Sequence, residues 1–388
     1  MARHDTHSSA SGHPALPGPS GDFSGTPPLT DQYGVGMSES ASSPPGLDLA
    51  AVLRWLAANT ADVIDAAASA RLIAGGRSNL TYLLDDGRRQ VVVRRPPLGH
   101  VLATAHDMGR EYRIISALAG TAVPVPAALG LCTDVSVNGA PFYAMSFVDG
   151  LVVRVDTAVS AGLTEADRYQ LSASMMTVLA DLHEVDVAAV GLSDFGRPAG
   201  FMARQLSRWS KQLDASRGRE LPGIDRLRDD LGARVPDSDR SGIVHGDYRL
   251  DNLVVAPPAA DDALTVRSVL DWEMATLGDP LADLGLLLAY WDVLSAMNSP
   301  AVQNVGAAHG FPDGATLTGW YQDRRDLDLS ELPWYEAFGL FKLAVILEGI
   351  HYRHQLGQTV GDDFTNIGAG VPALVNAGLE VLASGKLG

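Results

Sequence analysis

Leu49, Val52, Leu53 and Leu56 recur at three- and four-residue intervals in LDLAAVLRWLAANT, which predicts that ordered structure begins near Leu47 with an amphipathic helix. The period then shortens. RLIA at 71–74 and LTYLL at 80–84 read as strands flanking Gly75-Gly76-Arg77-Ser78-Asn79, and Asp86-Gly87 turns the chain into a third strand, VVVR at 91–94. Helical spacing returns over 105–118, with Thr104 and Asp107 as capping residues and Met108, Tyr112, Ile115 and Leu118 as the apolar stripe. Glu111 falls on that stripe. A carboxylate there faces the core, which is costly unless a cation meets it, and Arg94 at the end of the third strand is the best-placed candidate.

Residues 142–148, FYAMSFV, predict one more strand, closed by the Asp149-Gly150 turn, that connects this part of the chain to the rest. Beyond it the pattern is mostly helical: from a cap at Thr164 to about Leu182, over 201–213, and over 334–355. A hairpin interrupts the helices, with strands at 253–255 and 266–270. Strands first and helices afterwards indicate an α+β protein, with a sheet-bearing part over 47–148 and a helical part over 149–388. Residues 1–46 are rich in Ser, Gly and Pro and read as a disordered tail.

Composition narrows the partners. A formal net charge of -17 repels phosphate backbones and anionic lipid headgroups, so neither nucleic acid nor membrane is an expected partner. The single cysteine, Cys132, cannot form an intramolecular disulfide or a multi-thiolate metal site, and fits a reducing cytoplasm. No uninterrupted run of about 18 apolar residues predicts a membrane span.

The chemistry concentrates in IVHGDYRLDN at 243–252 and LDWE at 270–273. Four residues separate Asp247 from Asn252, the spacing of a kinase catalytic loop, and both side chains offer hard oxygens of the kind Mg²⁺ prefers. Together with the Gly75–Asn79 hairpin, Arg94 and Glu111, these segments resemble the aminoglycoside-phosphotransferase-like family, small-molecule kinases that share the protein-kinase fold. VVVRRPP, AHDMGREYRIISAL, VHGDYRLDN and LDWEMATLGDPLADLG are similar in particular to the branch fused to acyl-CoA dehydrogenases.

The resemblance implies two lobes, a small antiparallel-sheet N-lobe and a larger, mainly helical C-lobe, that use ATP and Mg²⁺ to phosphorylate a small-molecule hydroxyl. It implies Asp247 as catalytic base, Asn252 and Asp271 as metal ligands, and Arg94, held by Glu111, on the α- and β-phosphates. Gly75, Gly76, Ser78 and Asn79 would cover the triphosphate, while Val92, Met145 and Phe147 would line the nucleotide pocket. Arg249 either reaches the γ-phosphate or pairs with Asp251. His245 reads as scaffold, and Asp283 as a brace for the loop. Tyr290, Glu348 and Arg353 are expected to border the acceptor pocket. Two residues depart from the protein-kinase pattern: Arg94 stands where a lysine is usual, and Trp272-Glu273 replace the Phe-Gly pivot of a switchable metal loop. The narrower branch implies a hydroxyacyl-CoA or another metabolic alcohol as acceptor and the wider family an aminoglycoside. A non-catalytic nucleotide-binding module is the third alternative.

Overall fold

Side-chain alternation decides the sheet. The computed structural model describes residues 43–61, 64–73, 79–98, 107–155, 162–256, 264–297, 304–358 and 366–388. Its strands β1 (Ser69–Leu72), β2 (Leu80–Asp85), β3 (Gln90–Arg95), β4 (Ala128–Cys132) and β5 (Phe142–Ser146) form an antiparallel sheet in the order β1-β2-β3-β5-β4. Tyr82, Leu84, Val91, Val93, Phe142 and Ala144 point to one face, where α1 (Leu49–Asn59) covers them with Val52, Leu53 and Leu56. Leu83, Val92, Tyr143 and Met145 point to the other, toward Met108 and Ile115 of α2 (Met108–Leu118). β4 has no alternating pattern of its own, and Gly130 in its middle is needed where Trp55 approaches to 3.0 Å of the site a Cβ would take.

The alternation also separates the two arginines that end β3. Arg95 turns toward the α1 side, where its guanidinium donates to the carbonyls of Gly46 and Asn138. Arg94 shares the α2 side with Val92 and sits directly across from Tyr143 in the β3–β5 register. Asp107 caps α2 by accepting from Arg110 N at 3.0 Å, whereas Thr104 lies outside the described residues. Residues 44–46, which composition placed in the tail, are tied into the fold: Leu47 N donates to Pro44 O (3.1 Å) and the Tyr82 hydroxyl to Pro45 O (2.6 Å). The rest of the expected tail, residues 1–42, lies outside the described residues.

The helical part contains α3 (Glu165–Glu184), α4 (Phe201–Ser216), α5 (Ile224–Gly232), α6 (Leu281–Leu288), α7 (Gly314–Arg325), α8 (Leu332–Gln355) and α9 (Val371–Ser384). Thr164 and Asp167 close a full capping box on α3. Two small ladders are set among the helices, β6 (Gly242–Val244) with β9 (Thr276–Gly278) and β7 (Leu253–Val255) with β8 (Val266–Val269). At the crossing of α6 and α8, glycines bring the backbones together: a Cβ on Gly285 would lie 2.4 Å from the Tyr335 carbonyl carbon, and one on Gly339 3.0 Å from Leu286 Cα. α6 begins with Pro280 at its cap and Asp279 Oδ1 accepting from Leu281 N at 3.0 Å. Among the described residues one helix, 367–384, is long and apolar enough to cross a bilayer, and it buries Val371, Leu374, Val375 and Val381 in the core.

Candidate active site

β6 carries Ile243 and Val244 into the core, and the chain then turns at Gly246 with φ of +85°. Only glycine fits this turn, because a Cβ would sit 2.9 Å from Met274 Cβ and 3.0 Å from Met274 O. Each peptide group of the turn is held. The buried carboxylate of Asp283, one turn into α6, accepts from His245 N (2.6 Å) and Gly246 N (2.7 Å). Burial opposes its charge, but the His183 imidazole and these amides outweigh it and lower its pKa. The next amide, Asp247 N, donates to His245 Nδ1 (3.3 Å), while His245 Nε2 reaches Leu270 O (2.9 Å). That assigns the Nε2–H tautomer of neutral imidazole and gives His245 the scaffold role. The Gly246 carbonyl accepts from Lys342 Nζ of α8 at 3.0 Å.

Two side chains that the spacing singled out meet at this turn. Asn252 Nδ2 donates to the Asp247 carbonyl (2.8 Å) and to Asp247 Oδ2 (3.0 Å). Arg249 forms the ion pair with Asp251 and lies over the Tyr290 ring, 4.7 Å from its centroid. Burial, with Asp247 beside it, pushes the pKa of the Tyr290 hydroxyl well up. Tyr290, expected at the acceptor pocket, thus packs against this loop and does not line the cavity described below.

Across the β7–β8 hairpin, Asp271 takes a left-handed conformation with φ of +65°, a costly one for a residue other than glycine. Its carboxylate meets Arg94, whose Nε lies 3.1 Å from Glu111 Oε2 and whose NH2 lies 3.5 Å from Glu273 Oε2. Burial opposes the charge on Arg94, but the surrounding acidic groups raise its pKa. Burial likewise pushes the Glu111 carboxyl up to about 7 against the pull of Arg94 and the Tyr143 hydroxyl, which donates to Glu111 at 2.9 Å. Asn79, expected over the triphosphate, is 1% exposed, and its amide donates to Glu111 (2.9 Å) and Glu273 (3.1 Å). Trp272 is buried against His245, with ring centroids 4.7 Å apart, and donates to Val269 O at 3.0 Å. The Trp-Glu pair that replaces Phe-Gly is thus anchored at both residues. Gly75, Gly76 and Ser78 lie outside the described residues. Val92 and Met145 are register partners on the Arg94 face of the sheet, and Phe147 is partly buried just beyond the end of β5.

A cavity of about 460 Å³ opens beside this loop, lined by Gly246, Met274 and Lys342 together with Arg110, Arg208 and Phe201. Arg208 continues into a groove on α4 that also carries Arg204 and Lys211, the basic helix face legible in the sequence. Glu348, expected at the acceptor pocket, does not line the cavity. It is fully buried and pairs with Arg219 at 2.6 Å. Arg353 does not line it either. The residue that sequence reasoning missed is Lys342. Its signal was a lone cation inside the apolar run AFGLFKLAVIL, which predicts a buried charge with a dedicated partner.

Comparison with known proteins fits this geometry. A model of the phosphotransferase enzyme family (APH) matches residues 69–320. Acyl-CoA dehydrogenase family member 10 of Mus musculus is 36% identical over 290 residues, which cover 73% of this chain and 26% of that protein. The chain thus spans about a quarter of that relative's length. A crystal structure from Ralstonia eutropha JMP134, provisionally named an aminoglycoside phosphotransferase, is 33% identical, with a TM-score of 0.75 over 87% of this chain and 99% of the other. A microcompartment-associated aminopropanol kinase, 17% identical, shares the fold at a TM-score of 0.51 over 87% of this chain and 98% of its own.

Proposed function

The chain belongs to the phosphotransferase enzyme family, and from that premise we propose that it transfers the γ-phosphate of ATP to a hydroxyl of a small molecule, with Mg²⁺. The observation that carries this reading is the assembly of Asp247, Asn252 and Asp271 around one clamped turn. Asp247 accepts the proton of the acceptor hydroxyl as that oxygen bonds to the γ-phosphorus, and the bond from phosphorus to the bridging oxygen breaks to release ADP. Asn252 spends its Nδ2 on Asp247, which leaves Oδ1 and the Asp271 carboxylate as two hard oxygen donors. Two such donors would suit Mg²⁺. When bound, the ion neutralises charge on the phosphates. Arg94, which meets Asp271 in this structure, stays fixed by Glu111 and Glu273 and would present its guanidinium to the α- and β-phosphates when Asp271 turns to the ion, with Val92 and Met145 beneath the base. Arg249, held over Tyr290 and paired with Asp251 in this structure, would have to leave Asp251 to serve as the cation for the transferring group.

For the acceptor, the cavity beside Gly246 supports a hydroxyacyl thioester or another anionic metabolic alcohol. Its acids have partners: Asp107 caps α2, Asp283 holds the loop and Glu273 meets Arg94. Arg208 makes no ion pair among the described residues, and it continues into the basic face of α4. A relative named for acyl-CoA dehydrogenation points the same way. The aminoglycoside alternative has the overall negative charge in its favour.

The test is Mg²⁺-dependent ADP release across a panel that includes kanamycin and a 4-hydroxyacyl-CoA. Stimulation by the thioester is expected, and stimulation by kanamycin alone would reverse the acceptor assignment. Asp247→Asn should lower turnover by about 10³-fold or more while leaving ATP binding unchanged. Wild-type turnover in that variant would falsify the role of Asp247.

A further inference from the structure

Lys342 is 8% exposed and lies in a helix otherwise dedicated to the core. Its ammonium donates to the Gly246 carbonyl at 3.0 Å, and among the described residues no carboxylate stands within ion-pair distance. A buried cation hydrogen-bonded to a carbonyl, with a tryptophan face 5.5 Å away at Trp209 and its nearest carboxylates beyond ion-pair distance, is expensive, and methionine would fill the same space at no electrostatic cost. The carbonyl it holds belongs to the peptide that leads into Asp247. The amide of that same peptide is held by His245, and the preceding two by Asp283. Lys342 and Asp283 reach the turn from α8 and α6, close to where those helices cross at Gly339 and Gly285.

We propose that Lys342 is a positioning residue for phosphoryl transfer: its ammonium locks the Gly246–Asp247 peptide and places a fixed positive charge facing the Asp247 side chain. The kinetic part of this proposal rests on the phosphotransferase reading; the structural part does not. The charged groups that face Lys342 are Asp247 on the loop, Asp283 on α6 and Arg208 on α4, and Glu273 lines the same cavity. Burial lowers the lysine's pKa against the pull of the two aspartates, so its charge is lost at lower pH than for an ordinary lysine.

The experiment compares wild type with Lys342→Met and Lys342→Arg in two measurements. Amide hydrogen exchange of the full chain, without nucleotide, reads the clamp: Lys342→Met should exchange about tenfold faster at Gly246 and Asp247, with distant amides unchanged. Steady-state ADP release from Mg·ATP, with the acceptor of largest stimulation or with water, reads the reaction. In Lys342→Met kcat should fall about 10- to 100-fold with the KM for ATP within about threefold. Lys342→Arg should recover part of the loss and lack the alkaline decline that wild type shows as Lys342 loses its proton. Unchanged exchange in Lys342→Met overturns the clamp whatever the turnover. Faster exchange with wild-type kcat overturns its part in the reaction. A wild type that releases no ADP defeats the phosphotransferase reading, and exchange still decides the clamp.

Discussion

Arg94 shows how far a single position could be read in advance. Period-two spacing put it on the Val92 face and period-3.6 spacing put Glu111 on the inner stripe of the next helix, so a pair was legible without any structure. Tyr143, Asn79 and Glu273, which complete the cluster, were not, because they meet through strand pairing and side-chain packing between segments far apart in the chain. Their energetics differ. Arg94→Ala strips the cation from buried Glu111 and from Asp271 and should cost about 3–5 kcal/mol. Tyr143→Phe removes one donor from a carboxylate that keeps two others and should cost about 1–2 kcal/mol. Urea unfolding of both variants checks the order, and a larger loss in Tyr143→Phe would mean that the cation does not hold the cluster together.

Among the elements, the strands and helices with strong periods lie close to where the pattern put them: β2, β3, α1, α3 and α8 shift by no more than a few residues. The β6–β9 ladder and the close crossing of α6 with α8 were not legible. Three-residue strands carry too few positions to show a period, and a crossing depends on small residues from two distant segments. That crossing is the part of the fold that matters most to the loop, since Asp283 and Lys342 both project from it. Gly285→Ala, whose Cβ would press to 2.4 Å on the Tyr335 backbone, should destabilise the protein by about 1–3 kcal/mol. Gly319→Ala is its control: it lies within α7 with nothing within 4 Å of the new methyl, and should stabilise by about 0.5–1 kcal/mol. Opposite signs in thermal unfolding are the expected result; equal losses would mean that helical glycine itself, rather than the crossing, is at issue.

At the scale of the whole molecule, the dependence of stability on pH has an identifiable source outside the Gly246 loop. Glu336 of α8 is 0% exposed, and among the described residues its oxygens accept only from Gly388 N, at 3.1 and 3.2 Å. Burial, with Asp292 nearby, pushes its pKa up to about 7, and burial likewise pushes Asp292 up to about 6. A carboxyl with a raised pKa binds its proton more tightly in the folded chain than in the unfolded one, so stability declines as pH rises from the ordinary glutamate value of 4.5 to about 7. Above that window the penalty is complete, on the order of 3 kcal/mol for Glu336. Glu336→Gln keeps an acceptor for Gly388 and discards the charge, so it should match wild type near pH 5 and exceed it by about 1–3 kcal/mol at pH 8. The general repulsion expected from a net charge of -17 also grows with pH, but removing one of many surface carboxylates would relieve it only slightly. An exposed control on α9, Glu380→Gln, separates the two effects: a gain at pH 8 as large as that of Glu336→Gln would assign the dependence to overall charge rather than to the buried carboxyl.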